Sequence, residues 1–362
     1  MIRPIFDAHL DLAWNAVSFD RDLTLDVSEL RAREAGFTDE PSRGRNTLTL
    51  PELRKAGVYV CVATLLSRAG PETGMQPGRK RTNLDHSTQS IAYCAAHAQL
   101  AYYRLLESQG HLRMLRTRSQ LAAHWQAAIN DPANTPLGII LSMEGTDPIV
   151  TPDQASEWWD AGLRAAGIAH YGRSHHAYGT GVSGPLSRAG IELLKELEEL
   201  GIALDVTHLC DESMSEALDV FGGPVLASHH NCRALVPGDR QLTDEQIKRL
   251  ISRDAVIGAA LDAWMLYPNW IRGQTQPAVV GLEAVVDHLD RVCQLAGNPR
   301  HVAIGSDLDG GFGAEQTPRD LNTIADLQKL EPLLARRGYN DADIDHIFSG
   351  NWLRFFGSSL PE

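Results

Sequence analysis

Short, almost wholly apolar runs alternate along this chain with longer stretches whose apolar residues recur at helical spacing. The runs at 137–143 (Leu-Gly-Ile-Ile-Leu-Ser-Met) and 255–261 (Ala-Val-Ile-Gly-Ala-Ala-Leu) show no polar face, the pattern of a parallel strand covered on both sides. By this criterion strands are predicted at 5–10, 57–66, 137–143, 164–170, 202–207, 224–228, 255–261 and 301–306. Helices are predicted at 83–108, 117–129, 151–161, 186–200, 211–221, 243–253, 280–295 and 319–337. Thr151 and Thr243 stand where N-caps belong, each followed by early acidic residues, and Gly201 suits a C-cap. Strand–helix alternation over eight strands predicts an α/β fold of the closed (β/α)8 TIM-type barrel class. One domain is expected over residues 1–362, with an insertion at about 18–46. An open doubly wound sheet would want a Gly-rich phosphate turn after its first strand, but the chain reads Leu10-Asp11-Leu12-Ala13-Trp14 there.

Composition narrows the function. The 362 residues carry 33 Lys+Arg against 46 Asp+Glu, a net charge of −13, which argues against nucleic acid or an anionic membrane as partner. An apolar share of 43% with 22% charged residues is that of a globular protein. No run approaches the ~20 apolar residues of a membrane span, and the first residues do not read as a signal peptide. Five cysteines without a Cys-x-x-Cys pair fit a reducing compartment, so a cytoplasmic location is expected. The 14 histidines matter through their positions. His9 and Asp11 share a face at the end of the first strand. Glu144, His208, His229 and Asp307 follow the third, fifth, sixth and eighth predicted strands. Any one of them alone reads as a turn residue or cap. Together, at the end of a barrel where loops converge, they make a donor set for Zn²⁺ or a similar divalent ion, large enough for two ions.

Those residues sit in motifs that resemble the renal (membrane) dipeptidase family of binuclear zinc dipeptidases. The motifs are Asp7-Ala8-His9-Leu10-Asp11-Leu12, Glu144-Gly145, Thr207-His208, Ser228-His229-His230-Asn231 with Arg240, Ile304-Gly305-Ser306-Asp307-Leu308-Asp309-Gly310, and Gly350-Asn351-Trp352-Leu353-Arg354. They occur in family order from about Ile5 to Gly357. The resemblance implies that His9 and Asp11 hold one ion, that His208 and His229 hold the other, and that Glu144 bridges them. It further implies that Asp307 orients the attacking water and protonates the leaving amine, that His170 polarises the scissile carbonyl, and that Arg240 helps hold substrate. The expected activity is hydrolysis of small dipeptides, including those with a C-terminal D-residue, by a hydroxide between two zinc ions. A homodimer is one assembly this reading allows.

The chain departs from the family pattern at Leu261-Asp262-Ala263-Trp264-Met265, where Asp262 stands near the expected place of an aromatic pocket residue. As a substrate-binding residue, Asp262 would repel a carboxylate or pair with a cationic side chain. Arg173, His175 and His176 crowd the segment after His170, and Gly78-Arg79-Lys80-Arg81 adds a basic run. Two other readings are carried forward: an amidohydrolase acting on another amide such as an N-acyl amino acid, and a non-catalytic metal-binding barrel. His9-x-Asp11 with Glu144, in place of His-x-His with a modified lysine, favours the dipeptidase. Asp307 and His170, unnecessary for metal binding alone, favour an enzyme.

Overall fold

The computed structural model describes residues 2–70 and 83–362; the basic run 78–81 lies outside them. Nine parallel strands are present among these residues: β1 (Ile5–Leu10), β2 (Val58–Leu66), β3 (Leu112–Met114), β4 (Leu137–Glu144), β5 (Leu163–Gly167), β6 (Ala203–Asp205), β7 (Val225–Leu226), β8 (Ile257–Ala259) and β9 (Val302–Ile304). The main sheet runs β1-β2-β4-β5-β6-β7, with β3 attached to β4; β8 and β9 form a separate pair. The α/β class and the parallel order are as expected. The closed (β/α)8 barrel is not: the sheet is a curled but open six-stranded half-barrel.

The opening has a physical cause. The last four strands, expected at five to seven residues, are only two or three long, and Ala227 reaches Ile257 through an isolated bridge. Beyond them polar side chains take over the ladder bonds that buried backbone groups require. The Asp205 Oδ1 accepts from the Thr207 N–H at 3.0 Å and the Ser228 N–H at 3.0 Å. Asn231 donates to the Ala260 carbonyl at 3.0 Å and accepts from its N–H at 3.1 Å. Asp7 Oδ1 accepts the Ser306 N–H at 2.9 Å, so a carboxylate stands where a closed barrel would pair β9 with β1.

Phe6, Val60, Ile140, Ala165, Ala203, Leu226 and Ala303, from successive strands, form a compact apolar cluster against Trp352, Phe355 and Phe356. Those aromatics belong to the helix Asn351–Ser359, which the hydrophobic pattern had not predicted. A larger apolar layer lies between sheet and helices. Thr243 caps Asp244–Ser252 in a capping box, and Gly201 ends Arg188–Leu200 at φ 72°. The expected helix at 319–337 is instead a 3-10 segment, Ile324–Lys329, followed by the α-helix Leu330–Arg336. Segment 18–46 contains the helix Val27–Arg33 and the buried Arg21–Glu34 ion pair, 2.8 Å. Among the described residues no helix is long and apolar enough to cross a membrane.

Close backbone approach holds β7, β8 and β9 together at their ends. A Cβ added at Gly305 would lie 1.7 Å from the Ser228 carbonyl oxygen. Gly305→Ala is therefore expected to cost at least the ~1–3 kcal/mol typical of overpacking, measured as a lower urea midpoint. An unchanged midpoint would mean that this contact is not needed.

Candidate metal centre

Apart from Arg240, which lies in the long loop after β7, the predicted site residues lie at or just beyond the C-terminal ends of strands. His9 is in β1 with Asp11 just past it, Glu144 closes β4, and His208, His229, Asp262 and Asp307 follow β6, β7, β8 and β9. His170 lies three residues past β5 because that strand stops at Gly167. They converge on a cavity of about 340 Å³ that Arg68, Tyr171, Arg240 and Trp264 also line. His208 (φ 71°) and Asp307 (φ 58°) both occupy the left-handed backbone region, a cost of roughly 1–3 kcal/mol each that structures tend to retain at functional sites. Gly310 leaves room for Asp307, since a Cβ there would stand 1.9 Å from its Oδ1.

Glu144 is the hub. Its Oε2 is 3.4 Å from His9 Nε2, while its Oε1 is 3.1 Å from His208 Nε2, 3.4 Å from His229 Nε2 and 3.6 Å from His170 Nε2. His9 Nε2 also lies 3.7 Å from Asp11 Oδ1 and 3.9 Å from Asp307 Oδ1. One carboxylate thus turns one oxygen to His9 and the other to the remaining imidazoles. Within reach of single ions are three groups: His9, Glu144 and His229; Glu144, His170 and His208; and His9, Asp11 and Asp307.

Hydrogen bonds assign the tautomers. Ser228 Oγ is 3.3 Å from His9 Nδ1, 2.9 Å from His229 Nδ1 and 3.3 Å from Thr207 Oγ1. A hydroxyl has one proton, so it accepts from at least one of these two imidazoles, and a neutral ring protonated at Nδ1 keeps its Nε2 lone pair for the cavity. Thr180 Oγ1 donates to the His208 carbonyl at 3.2 Å and so accepts from His208 Nδ1 at 3.1 Å. His208 Nε2 likewise offers a lone pair. His170 is the reverse: the Arg68 guanidinium donates to its Nδ1 at 3.1 Å, so Nε2 carries the proton. His208 is thus an acceptor toward the cavity and His170 a donor.

The electrostatics agree. Burial, with Arg240 and neighbouring imidazoles adding to it, holds His208 and His229 well below the usual histidine range, in the neutral form that binds metals. Burial and the Arg68 charge do the same for His170. Burial also acts to lower His9, but the Glu144 and Asp11 carboxylates outweigh it and hold it well above its ordinary value. Burial pushes the Asp307 carboxyl well up against the pull of His9. The buried His9 Nε2 has no hydrogen-bond partner. A buried imidazole nitrogen among carboxylates is what a divalent cation completes when it displaces the proton, and the overlapping clusters fit a binuclear divalent-metal site of the zinc type.

Arg240 is buried; its Nη2 donates to the His229 carbonyl at 2.9 Å, and its Nη1 has no partner. Asp262 lines the cavity and is pushed by burial to about 7. Arg173 is not among the lining residues; its guanidinium lies over the Tyr178 ring. His176 is tied to Thr146. Arg68, Ser228 and Thr180 were missed by the sequence reading. Arg68 follows β2 and the strand-end rule would have found it; Ser228 directly precedes His229; nothing in the sequence marks Thr180.

An open α/β half-barrel with paired carboxylate–imidazole clusters at its strand ends defines a metal-dependent hydrolase. The chain belongs to the membrane dipeptidase family, peptidase family M19, whose sequence profile matches residues 2–359, and its class is that of a metal-dependent dipeptidase. An uncharacterised Klebsiella pneumoniae protein from the pqqA 5′ region is 30% identical over 207 residues, covering 54% of this chain and 72% of that protein. Dipeptidase aclJ of Aspergillus oryzae is 29% identical over 202 residues, 55% of this chain and 46% of that protein, so the match spans about half of the fungal enzyme. A Rhodobacter sphaeroides metallopeptidase, solved with a phosphinate mimic of the dipeptide L-Ala-D-Ala, shares the fold with a TM-score of 0.77 at 20% identity, over 99% of this chain and 100% of that one.

Because one Ser228 hydroxyl orients both His9 and His229, Ser228→Ala is expected to weaken metal binding about 10–100-fold. Competition with a chromogenic chelator measures this; undiminished affinity would show that the hydroxyl does not set the tautomers.

Proposed function

We propose that this chain hydrolyses the peptide bond of small dipeptides, with His9 and Asp11 holding one divalent ion, His208 and His229 the other, and Glu144 between them. The observation that carries the reading is the division of the Glu144 carboxylate between His9 and the other imidazoles. When bound, two such ions supply Lewis acidity and an acidified water.

The protein groups have separate tasks in this proposal. His170, held as an Nε2–H donor by Arg68, donates to the scissile carbonyl oxygen and stabilises the charge that grows there. Asp307, lifted by burial so that its carboxyl holds a proton more readily, takes a proton from the attacking water and delivers it to the leaving nitrogen. Arg240 turns its free Nη1 to a substrate carboxylate. Asp262 contributes to the substrate wall. Dipeptides with a C-terminal D-residue belong to the proposed range, a choice supported by the ligand of the Rhodobacter metallopeptidase.

A single domain over 1–362 with 18–46 as its insertion, a cytoplasmic location, no nucleic-acid partner and a homodimeric assembly complete the proposal. Five free cysteines support the compartment, and the net charge of −13 supports the absence of nucleic acid.

Glu144→Gln is expected to abolish dipeptide hydrolysis and to lower metal content below that of the wild type. Asp307→Asn is expected to keep the metals while kcat falls about 10²–10⁴-fold, the range for losing a general acid–base. Metal analysis beside steady-state kinetics checks both. Full activity in Asp307→Asn, or hydrolysis by a metal-stripped wild type, would refute the mechanism.

A further inference from the structure

Three arginines line the cavity, and they differ in what they have left to offer. Arg68 is committed: Nε and Nη2 each reach the Asp85 carboxylate at 2.9 Å, and Nη1 holds His170. Arg240 keeps one buried, unpartnered Nη1. Arg272, exposed at the rim, donates through Nε to Gln316 Oε1 at 3.2 Å and makes no ion pair among the described residues, so both Nη groups are available. Gln316 is buried and fixed in its turn, because its Nε2 donates to Asp262 Oδ1 at 2.8 Å and Oδ2 at 3.0 Å. The chain of contacts Asp262–Gln316–Arg272 therefore presents a guanidinium at the mouth of the cavity whose base is anchored in a buried carboxylate.

We propose that the preferred substrates are dipeptides with an acidic side chain, one substrate carboxylate meeting Arg240 and the second meeting Arg272. The inference rests on the dipeptidase reading above and specifies its substrate class. Two free guanidinium edges on one cavity match a ligand with two carboxylates, and Arg is suited to that planar acceptor. Asp262 does not oppose this assignment. Both its oxygens are already engaged by Gln316 and Oδ1 also accepts the Trp264 N–H at 3.3 Å, so the carboxylate is spent on fixing the Gln316 amide that holds Arg272 rather than on receiving a substrate cation. The departure from an aromatic residue at this place then has a use: a carboxylate anchors an arginine where a ring would only pack.

The test compares kcat/KM for Ala-Glu and Glu-Ala with that for Ala-Gln and Gln-Ala, which keep the shape and lose the charge, and with that for Ala-Lys and Lys-Ala. The acid is expected to exceed its amide about 10–100-fold in one order of residues, the worth of a charge-assisted hydrogen bond. In Arg272→Met that ratio is expected to collapse, chiefly through KM, and Gln316→Leu should reduce it in the same direction. Equal values for acid and amide would overturn the inference, as would a lysine preference abolished by Asp262→Asn. Calorimetric titration of the zinc-loaded protein with free glutamate and glutamine reads the same subsite without turnover. Arg272-dependent glutamate binding in a protein that cleaves no dipeptide would uphold the acidic subsite and refute the dipeptidase reading. Cleavage without charge preference would do the reverse.

Discussion

Glu144 closes β4 with its carboxylate buried among His9, His170, His208 and His229, while Asp11 and Asp307 approach the same His9 Nε2. Taking carboxylates out of water costs several kcal/mol per ion unless cations or hydrogen bonds compensate. Burial raises Glu144, with His9 pulling it back, and raises Asp307 well above its ordinary value. For carboxyls raised in the folded state, their stabilising contribution is complete below the unfolded pKa and is lost as pH rises through the folded one. At neutral pH the metal-free cluster is thus under electrostatic strain. His9, raised by its carboxylates, offers a proton as partial relief. A divalent cation would displace that proton and do the same task more fully. The chain's bulk charge of −13 includes these carboxylates and overstates how negative the loaded cavity would be.

A second layer of residues decides which histidine does what. Four imidazoles lie around one carboxylate oxygen pair, and composition alone would make all of them ligands. The Thr180 hydroxyl accepts the Nδ1–H of His208 and so leaves a lone pair at its Nε2, while the Ser228 hydroxyl stands between Nδ1 of His9 and Nδ1 of His229. Arg68 can only donate, and so turns His170 into a hydrogen-bond donor. The same ring chemistry is thus split, His208 presenting an acceptor and His170 a donor to the cavity, by neighbours bonded to their Nδ1 atoms. Left-handed backbone at His208 and Asp307 adds directional control at the two positions where the chain must turn sharply to aim a side chain inward.

Much of this was legible in the sequence, and the failures have physical causes. The positions of His9, Asp11, Glu144, His208, His229 and Asp307 after apolar runs were enough to predict that they meet, because a parallel sheet delivers its C-terminal ends to one side. Closure of the sheet was not legible. Hydropathy marks which residues are buried, but Asp7, Asp205 and Asn231 satisfy buried backbone groups with side chains, and that substitution shortens the strands without changing the apolar pattern. Orientation was equally hidden: Arg173 resembles a pocket residue by its place in the chain, yet its guanidinium rests on Tyr178. Thr180 comes from a loop whose approach to His208 is set by tertiary contacts, such as the bond from the Thr180 N–H to the His170 carbonyl at 2.9 Å.

The open sheet and the site are connected features. Asp205 bonds the N–H groups of Thr207 and Ser228, the residues immediately before His208 and His229. Asp7 bonds the N–H groups of His9 and of Ser306, the residue before Asp307. Each of these carboxylates therefore ties together the backbones of two segments that carry site residues. A regular ladder would space such residues by the fixed repeat of paired strands. A carboxylate accepting two N–H groups can draw two chain ends together at a spacing the ladder does not offer, and it does so where imidazoles from neighbouring strands must approach to 3.2 Å, as His208 and His229 do. Loss of regular β-structure at this end of the half-barrel is thus the local condition for packing that many donors around one carboxylate.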